Sequence, residues 1–192
     1  MALLPVNLFP VTRESDLLVY YKMDDAIGSA VADSTPFGHD GNMSGMDNDD
    51  WVAGRFGMGL EFDGADDRVR IPTTVPVSIH QSTVSLWFKT AHSYTDAGHI
   101  YYGSTSTGAD GFGGESEYHL NLISGSNHLQ YFVLNGPRVD KHATVPLNDN
   151  QWHHIAAVNE PGNFTLYVDG GQTFKAVDTA TRGYSISQVH TN

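Results

Sequence analysis

The sequence predicts an all-β fold, an antiparallel sandwich of two sheets with very little helix. Three observations predict it. Short apolar runs with period-two spacing recur along the chain, Gly, Pro, Asn and Asp cluster between them, and no stretch sustains a 3.6-residue apolar period long enough for a helix. Counting the runs gives about ten to twelve strands, a number that suits two facing sheets. The clearest part is Gln151–Val177, QWHHIAAVNEPGNFTLYVDGGQTFKAV, where three apolar runs (Trp152–Val158, Phe164–Val168, Thr173–Val177) are separated by Glu-Pro-Gly-Asn and Asp-Gly-Gly-Gln. Gly accepts positive φ, Pro presets φ, and Asn and Asp satisfy turn amides, so these separators are turns and the three runs form a meander. Trp152, Val158, Phe164, Leu166 and Val168 are expected to face a core.

In chain order, residues 1–16 contain Pro and lack a period, which makes them an arm leading into a domain of residues 17–192. Leu17–Met23, LLVYYKM, reads as the first strand. From Ala26 to Asp50 the chain is rich in Gly, Asp, Ser and Asn and reads as a long loop; ordered loops of that length are usually functional or held by something. Gly59–Phe62 and Arg68–Ile71 read as a hairpin about an Asp-Gly turn. Thr83–Thr90, TVSLWFKT, alternates Val84, Leu86 and Phe88 against Ser85, Trp87 and Lys89 and reads as a core strand. Further strands are expected at His99–Tyr102, Tyr118–Ile123, His128–Leu134 and Lys141–Val145, with a Gly-rich loop before Tyr118 and a turn at Asn135-Gly136-Pro137.

Composition bounds the function. A chain of 192 residues with 40% hydrophobic content builds one core without requiring two domains. The 10 Lys and Arg against 22 Asp and Glu give a net charge of −12, which repels nucleic-acid phosphates and anionic lipid and attracts divalent cations. Nucleic acid is therefore not expected as a partner. No run approaches the roughly 18 apolar residues that cross a bilayer, so membrane insertion is not expected either. The absence of cysteine excludes disulfides, zinc-thiolate sites and thiol catalysis.

The ordered set LLVYYKMDD, VADSTPFGHDGNMSG, WVAGRFGMGLEFDGADDRVRIP, TVSLWFK and QWHHIAAV followed by FTLYVDG resembles the bacterial laminin G-like domains of the concanavalin A-like lectin/glucanase superfamily. The resemblance spans roughly Leu17 to Val177. It implies a jelly-roll of two curved sheets, and a non-catalytic module that binds glycans or proteins outside the cell or at its surface. It also implies a structural Ca²⁺ after the first strand, with Asp24, Asp33, Gly38 and Asp40 as its ligands; the alternative is a solvated loop whose acids cap turns. Members of the family close with an acidic strand beside the first one. Here the chain reads GYSISQVHTN, so that strand is replaced or missing, and a missing strand leaves a sheet edge open to a partner chain.

For a glycan ligand, aromatic faces stack on sugar rings while polar groups fix hydroxyls. His99, Tyr101, Tyr102, Tyr118, His119, Asn121 and Tyr131, from the middle strands, are the candidate set. Two other classes stand against a binding module. A glucanase-like enzyme needs paired acids on one strand face; the Glu-x-Asp-x-Glu pattern is absent and Glu115 and Glu117 lack a third acid. A polysaccharide-lyase-like enzyme is hinted at by Gln188-Val189-His190, without the accompanying strand motifs. A structural subunit of a surface assembly is the other class. Adjacent His153 and His154 point to opposite faces of a strand and cannot share a metal ion without distortion.

Overall fold

The computed structural model describes residues 17–72, 82–93, 98–104, 117–123, 125–134, 141–160, 163–176 and 188–191. Among them are fourteen strands: β1 Ala30–Val31, β2 Gly41–Ser44, β3 Trp51–Ala53, β4 Met58–Leu60, β5 Arg68–Ile71, β6 Ser82–Phe88, β7 Gly98–Ser104, β8 Glu117–Leu122, β9 His128–Leu134, β10 Lys141–Pro146, β11 His153–Glu160, β12 Asn163–Val168, β13 Gly171–Ala176 and β14 Gln188–Thr191. The one helical turn described is a 3-10 turn at Asn48–Asp50. The fold is all-β and antiparallel, as the alternation predicts.

The strands form an eight-stranded sheet in the order β1-β2-β5-β14-β7-β8-β9-β10, a four-stranded sheet β13-β12-β11-β6 and a β3-β4 hairpin. Between the two large sheets lies a core of Ile100, Leu120, Leu122 and Leu129 from one side and Ile155, Ala157, Phe164 and Leu166 from the other, with Leu147 beside them. Val84, Leu86 and Phe88 of β6 pack against it. Each fully buried Leu or Phe contributes roughly 1.5–3 kcal/mol relative to exposure, so this layer is what holds the sheets together. A second cluster, Val31, Met43, Trp51 and Val69, fills the β1-β2-β5 end of the large sheet beneath the β3-β4 hairpin.

The meander is present as β11-β12-β13, joined by ladders from Ile155↔Val168 to Phe164↔Ala176. Phe164 and Leu166 are buried and Val168 packs on the core. The inward row of β11 is instead Ile155 and Ala157, because Trp152 precedes the strand and Val158 pairs with the outward Thr83. The expected first strand also differs. Leu17–Met23 is extended and alternates in burial, yet it makes only an isolated bridge, Tyr21↔Asp33. The Asp33 carboxylate takes the Tyr20 amide that would otherwise extend a ladder.

The expected β4-β5 hairpin is not formed. β4 pairs with β3, whereas β5 pairs with β2 and β14. Between them Asp67 accepts from the Asp63 amide and Asp63 accepts from the Ala65 amide, so side chains hold the reversal that a two-residue turn would have held. The expected long loop at 26–50 contains β1, β2 and the 3-10 turn. At the C-terminal side β14 lies inside the large sheet, bonded to β5 on one edge and β7 on the other. The N-terminal arm, the Gly-rich loop at 105–116 with Glu115, and the Asn135-Gly136-Pro137 turn lie outside the described residues.

Candidate functional site

The seven residues proposed for a glycan fall on three neighbouring strands of the large sheet. Register sets His99 opposite Asn121, Tyr101 opposite Leu120, Tyr102 opposite His119 and Leu120 opposite Tyr131; Tyr118 sits on β8 opposite Gly103. Ile100 is the extra residue at the bulge between His99 and Tyr101. Of the seven, Asn121 is the one whose side chain is among those described. It is 4% exposed, donates from Nδ2 to Gln130 Oε1 at 3.0 Å, and leaves its Oδ1 buried without a hydrogen-bond partner. A buried carbonyl oxygen without a donor is costly.

The register row continues beyond these residues. Tyr102 is opposite His190 of β14, His190 is opposite Arg70 of β5, and Arg70 is opposite Asn42 of β2. Gln188, two residues from His190, pairs with Ser104. Reading the sequence alone assigned no role to Arg68 or Arg70. The signal was there: two arginines alternating with Val69 and Ile71 on a strand must share the face opposite the apolar pair.

The loop proposed for calcium is organised by its carboxylates. Asp33 accepts four hydrogen bonds, from the Tyr20 and Thr35 amides on Oδ1 and from the Thr35 hydroxyl and His39 amide on Oδ2. Burial works against its charge, but these bonds outweigh it and hold its pKa below the ordinary carboxylate value. Asp40 Oδ1 accepts from the Asp33 amide at 2.9 Å, and Asp24 Oδ1 accepts from the Met58 amide at 2.9 Å. Gly38 has φ +68 in the turn between them. Both Asp33 oxygens are thus spent on the backbone, and the four residues fit an ion that needs six to eight oxygens only in part. Half-buried Tyr21 donates to the His39 carbonyl at 2.6 Å; partial burial, then the nearby Asp33 and Asp40 charges, push its phenol far above the ordinary value. The acids at Asp47–Asp50 form a capping box, with Asp47 accepting from the Asp49 amide and Asp50 from the Asp47 amide.

A different trio of acids does converge. Asp63, Asp66 and Asp67 each bring one carboxylate oxygen within 4.8 Å of the others. Asp67 is 4% exposed, and burial followed by the Asp63, Asp50 and Asp66 charges raises its pKa.

The outer face of the small sheet carries an aromatic group. Trp87 (40% exposed) meets Phe56 (63% exposed) edge-on at 5.8 Å and His154 at 5.1 Å, while the Arg55 guanidinium lies 4.8 Å from the Phe56 ring and 5.3 Å from Trp87. His154 Nε2 is 2.8 Å from Ser85 Oγ. His153 points the other way, between Asp149 and Asp169.

Two facing antiparallel sheets with an apolar core between them and polar rows outside define a lectin-type β-sandwich. A laminin G family model, described as the concanavalin A-like lectin/glucanases superfamily, matches residues 63–188, and the chain belongs to that superfamily. Neurexin-2 of Mus musculus is 29% identical over 102 residues, covering 49% of this chain and 6% of neurexin-2, so the likeness spans a small part of that relative. Among solved structures, domain 4 of AbnA, a GH43 extracellular arabinanase from Geobacillus stearothermophilus solved with arabinotriose, superposes with a TM-score of 0.66 at 20% identity. That match covers 91% of this chain and 90% of the domain. Domains LG4-5 of the mouse laminin alpha1 chain give a TM-score of 0.52 at 18% identity, over 65% of this chain and 31% of theirs. Both likenesses speak to the fold. Among the described residues no helix is long and apolar enough to cross a membrane.

Proposed function

We propose that this chain is a non-catalytic recognition module of a secreted or cell-surface protein, and that the outer face of the eight-stranded sheet takes a glycan. The observation that carries the reading is the unpartnered Asn121 carbonyl oxygen on the outward row of β8, which also holds His119 and, by register, His99 and Tyr102 of β7; Tyr101, Tyr118 and Tyr131 fall instead on the row of the core residue Leu120 and drop out of the candidate face. Sugars supply the hydroxyl donors such an acceptor lacks, and aromatic residues supply the faces on which rings stack. The whole-length likeness to a domain solved with arabinotriose supports a saccharide over a protein partner. Calorimetry against arabinotriose and a glycan array tests it. Binding that is lost in Tyr102→Ala and His119→Ala supports the face; no bound glycan at all sinks the reading, and release of new reducing ends from a bound polysaccharide sinks its non-catalytic half.

Calcium enters the proposal as a structural ion of the loops after Tyr21. Asp24 and Asp40 would lend their second carboxylate oxygens and Gly38 its carbonyl, with Asp33 shaping the loop. A melting curve that does not move between millimolar calcium and chelator removes the ion from the proposal. A calcium shift that survives Asp40→Asn and vanishes in Asp66→Asn moves it to the other acid group.

A further inference from the structure

Arg68 and Arg70 are the unexplained groups on the sheet face described above. Val69 is buried in the second core and Ile71 packs on the first, so the two arginines between and before them lie on the opposite face of β5. Both are half-buried, and the Nε of each is sealed from solvent with no hydrogen-bond partner. Among the described residues neither guanidinium makes an ion pair, in a chain where 22 acids surround 10 Lys and Arg. Their register neighbours are Ser44 for Arg68, and Asn42 and His190 for Arg70; no carboxylate stands opposite either. Arg55 shows the contrast, since its guanidinium is occupied by two aromatic rings.

We propose that Arg68 and Arg70 read an oxyanion, and that the saccharide taken by this face bears a sparse acidic group, a uronate carboxylate or a sulfate ester. The inference rests on the glycan reading and narrows it to a ligand class. A guanidinium presents a planar fork of N–H donors that matches a carboxylate or sulfate edge, and withdrawal from water makes an unfilled fork seek one. From β5 to β8 is three strand spacings, about 14 Å, so one oligosaccharide reaches from Arg70 past His190 and Tyr102 to His119. The overall charge of −12 repels a densely acidic polymer. One acid among neutral sugars escapes that repulsion while filling the arginine pair.

The test is calorimetry on the full chain at low salt with three probes: arabinotriose, a xylotriose bearing one glucuronic acid, and a singly sulfated galactose trisaccharide. At least one charged probe is expected to bind about tenfold tighter than the neutral one, and which of them does so tells carboxylate from sulfate. Arg70→Ala is expected to erase the preference, so that charged and neutral probes bind that variant alike, with Arg70→Lys keeping the charge and losing most of the gain. Arg70→Lys also stands in if the alanine variant fails to fold by circular dichroism. Neutral and charged probes binding alike, or a preference that survives Arg68→Ala/Arg70→Ala, overturns the inference while the glycan reading stands. No binding of any probe ends both. Equal competition by inorganic phosphate or a glutamate-rich peptide overturns the saccharide assignment of the arginines.

Discussion

His153 and Asp169 meet through Nδ1 and Oδ2 at 2.9 Å, and the same imidazole reaches Asp149 Oδ1 through Nε2 at 3.0 Å. A neutral imidazole has one N–H, so donating to both carboxylates requires the imidazolium. Asp169 Oδ1 accepts from the His154 amide at 2.9 Å, tying the β12-β13 turn to the start of β11.

A pH signature follows. Burial opposes the charge on His153, but the bonds to Asp169 and then Asp149 outweigh it and raise its pKa above the ordinary 6.5. Its stabilisation is complete below about pH 6.5 and is lost as pH rises through the raised folded value. Asp169, despite burial, and Asp149, chiefly through His153, are held below the ordinary 3.8, so their share is present above about pH 4 and lost as pH falls through the lowered values. Asp169→Asn is expected to lower the melting temperature by about 2 °C at pH 6, a small figure because both acids are half-exposed, and by less at pH 9. Equal deficits at the two pH values would refute the clasp.

Asp33 holds its loop through acceptance alone. Asp33→Ala strands the Tyr20, Thr35 and His39 amides and is expected to cost about 2 kcal/mol or more in urea denaturation, with Asp33→Asn in between because it keeps one carbonyl acceptor. A neutral alanine variant would show that water satisfies those amides equally well.

Two phenylalanines should part company. Phe164 is fully buried between the sheets, and Phe164→Ala is expected to cost about 3–5 kcal/mol. Among the described residues exposed Phe56 meets Trp87 and Arg55, so Phe56→Ala should change stability by less than about 0.5 kcal/mol. Comparable losses would mean that the aromatic group on the small sheet is structural.

Glycines offer a backbone test. Gly45 has φ +82, and an added Cβ would sit 2.7 Å from the Asp66 carbonyl oxygen, whereas Gly64 has φ +77 and open space. Gly64→Ala should show only the left-handed penalty, about 1–2 kcal/mol. Gly45→Ala adds a clash with main chain that cannot swing aside, and its midpoint in denaturant should fall further. Matching midpoints would contradict the close approach of β2 to the acidic loop.

The apolar alternation of β6, β9 and the meander was readable because one face of each meets the core and the other does not. What the sequence hid follows a common cause: side-chain carboxylates doing the work of backbone. Asp33 halts the first strand at a single bridge, and Asp63 with Asp67 replaces the Asp-Gly hairpin, sending β5 to pair with β2 and β14. Val158 misled because it is apolar and yet on the outward row. The laminin G-like resemblance named the fold, and the seven glycan candidates do share neighbouring strands; the arginines were missed because their meaning depends on β14 arriving between β5 and β7.

That arrival orders events in time. Until residues 188–191 have left the ribosome, β5 and β7 face each other across an empty lane with two unpaired rows of amides and carbonyls. The polar face is therefore assembled last, by a partner more than a hundred residues from β5 in sequence, a long-range closure that is intrinsically slow. Until that lane is filled, its two unpaired rows stay open to edge-to-edge pairing.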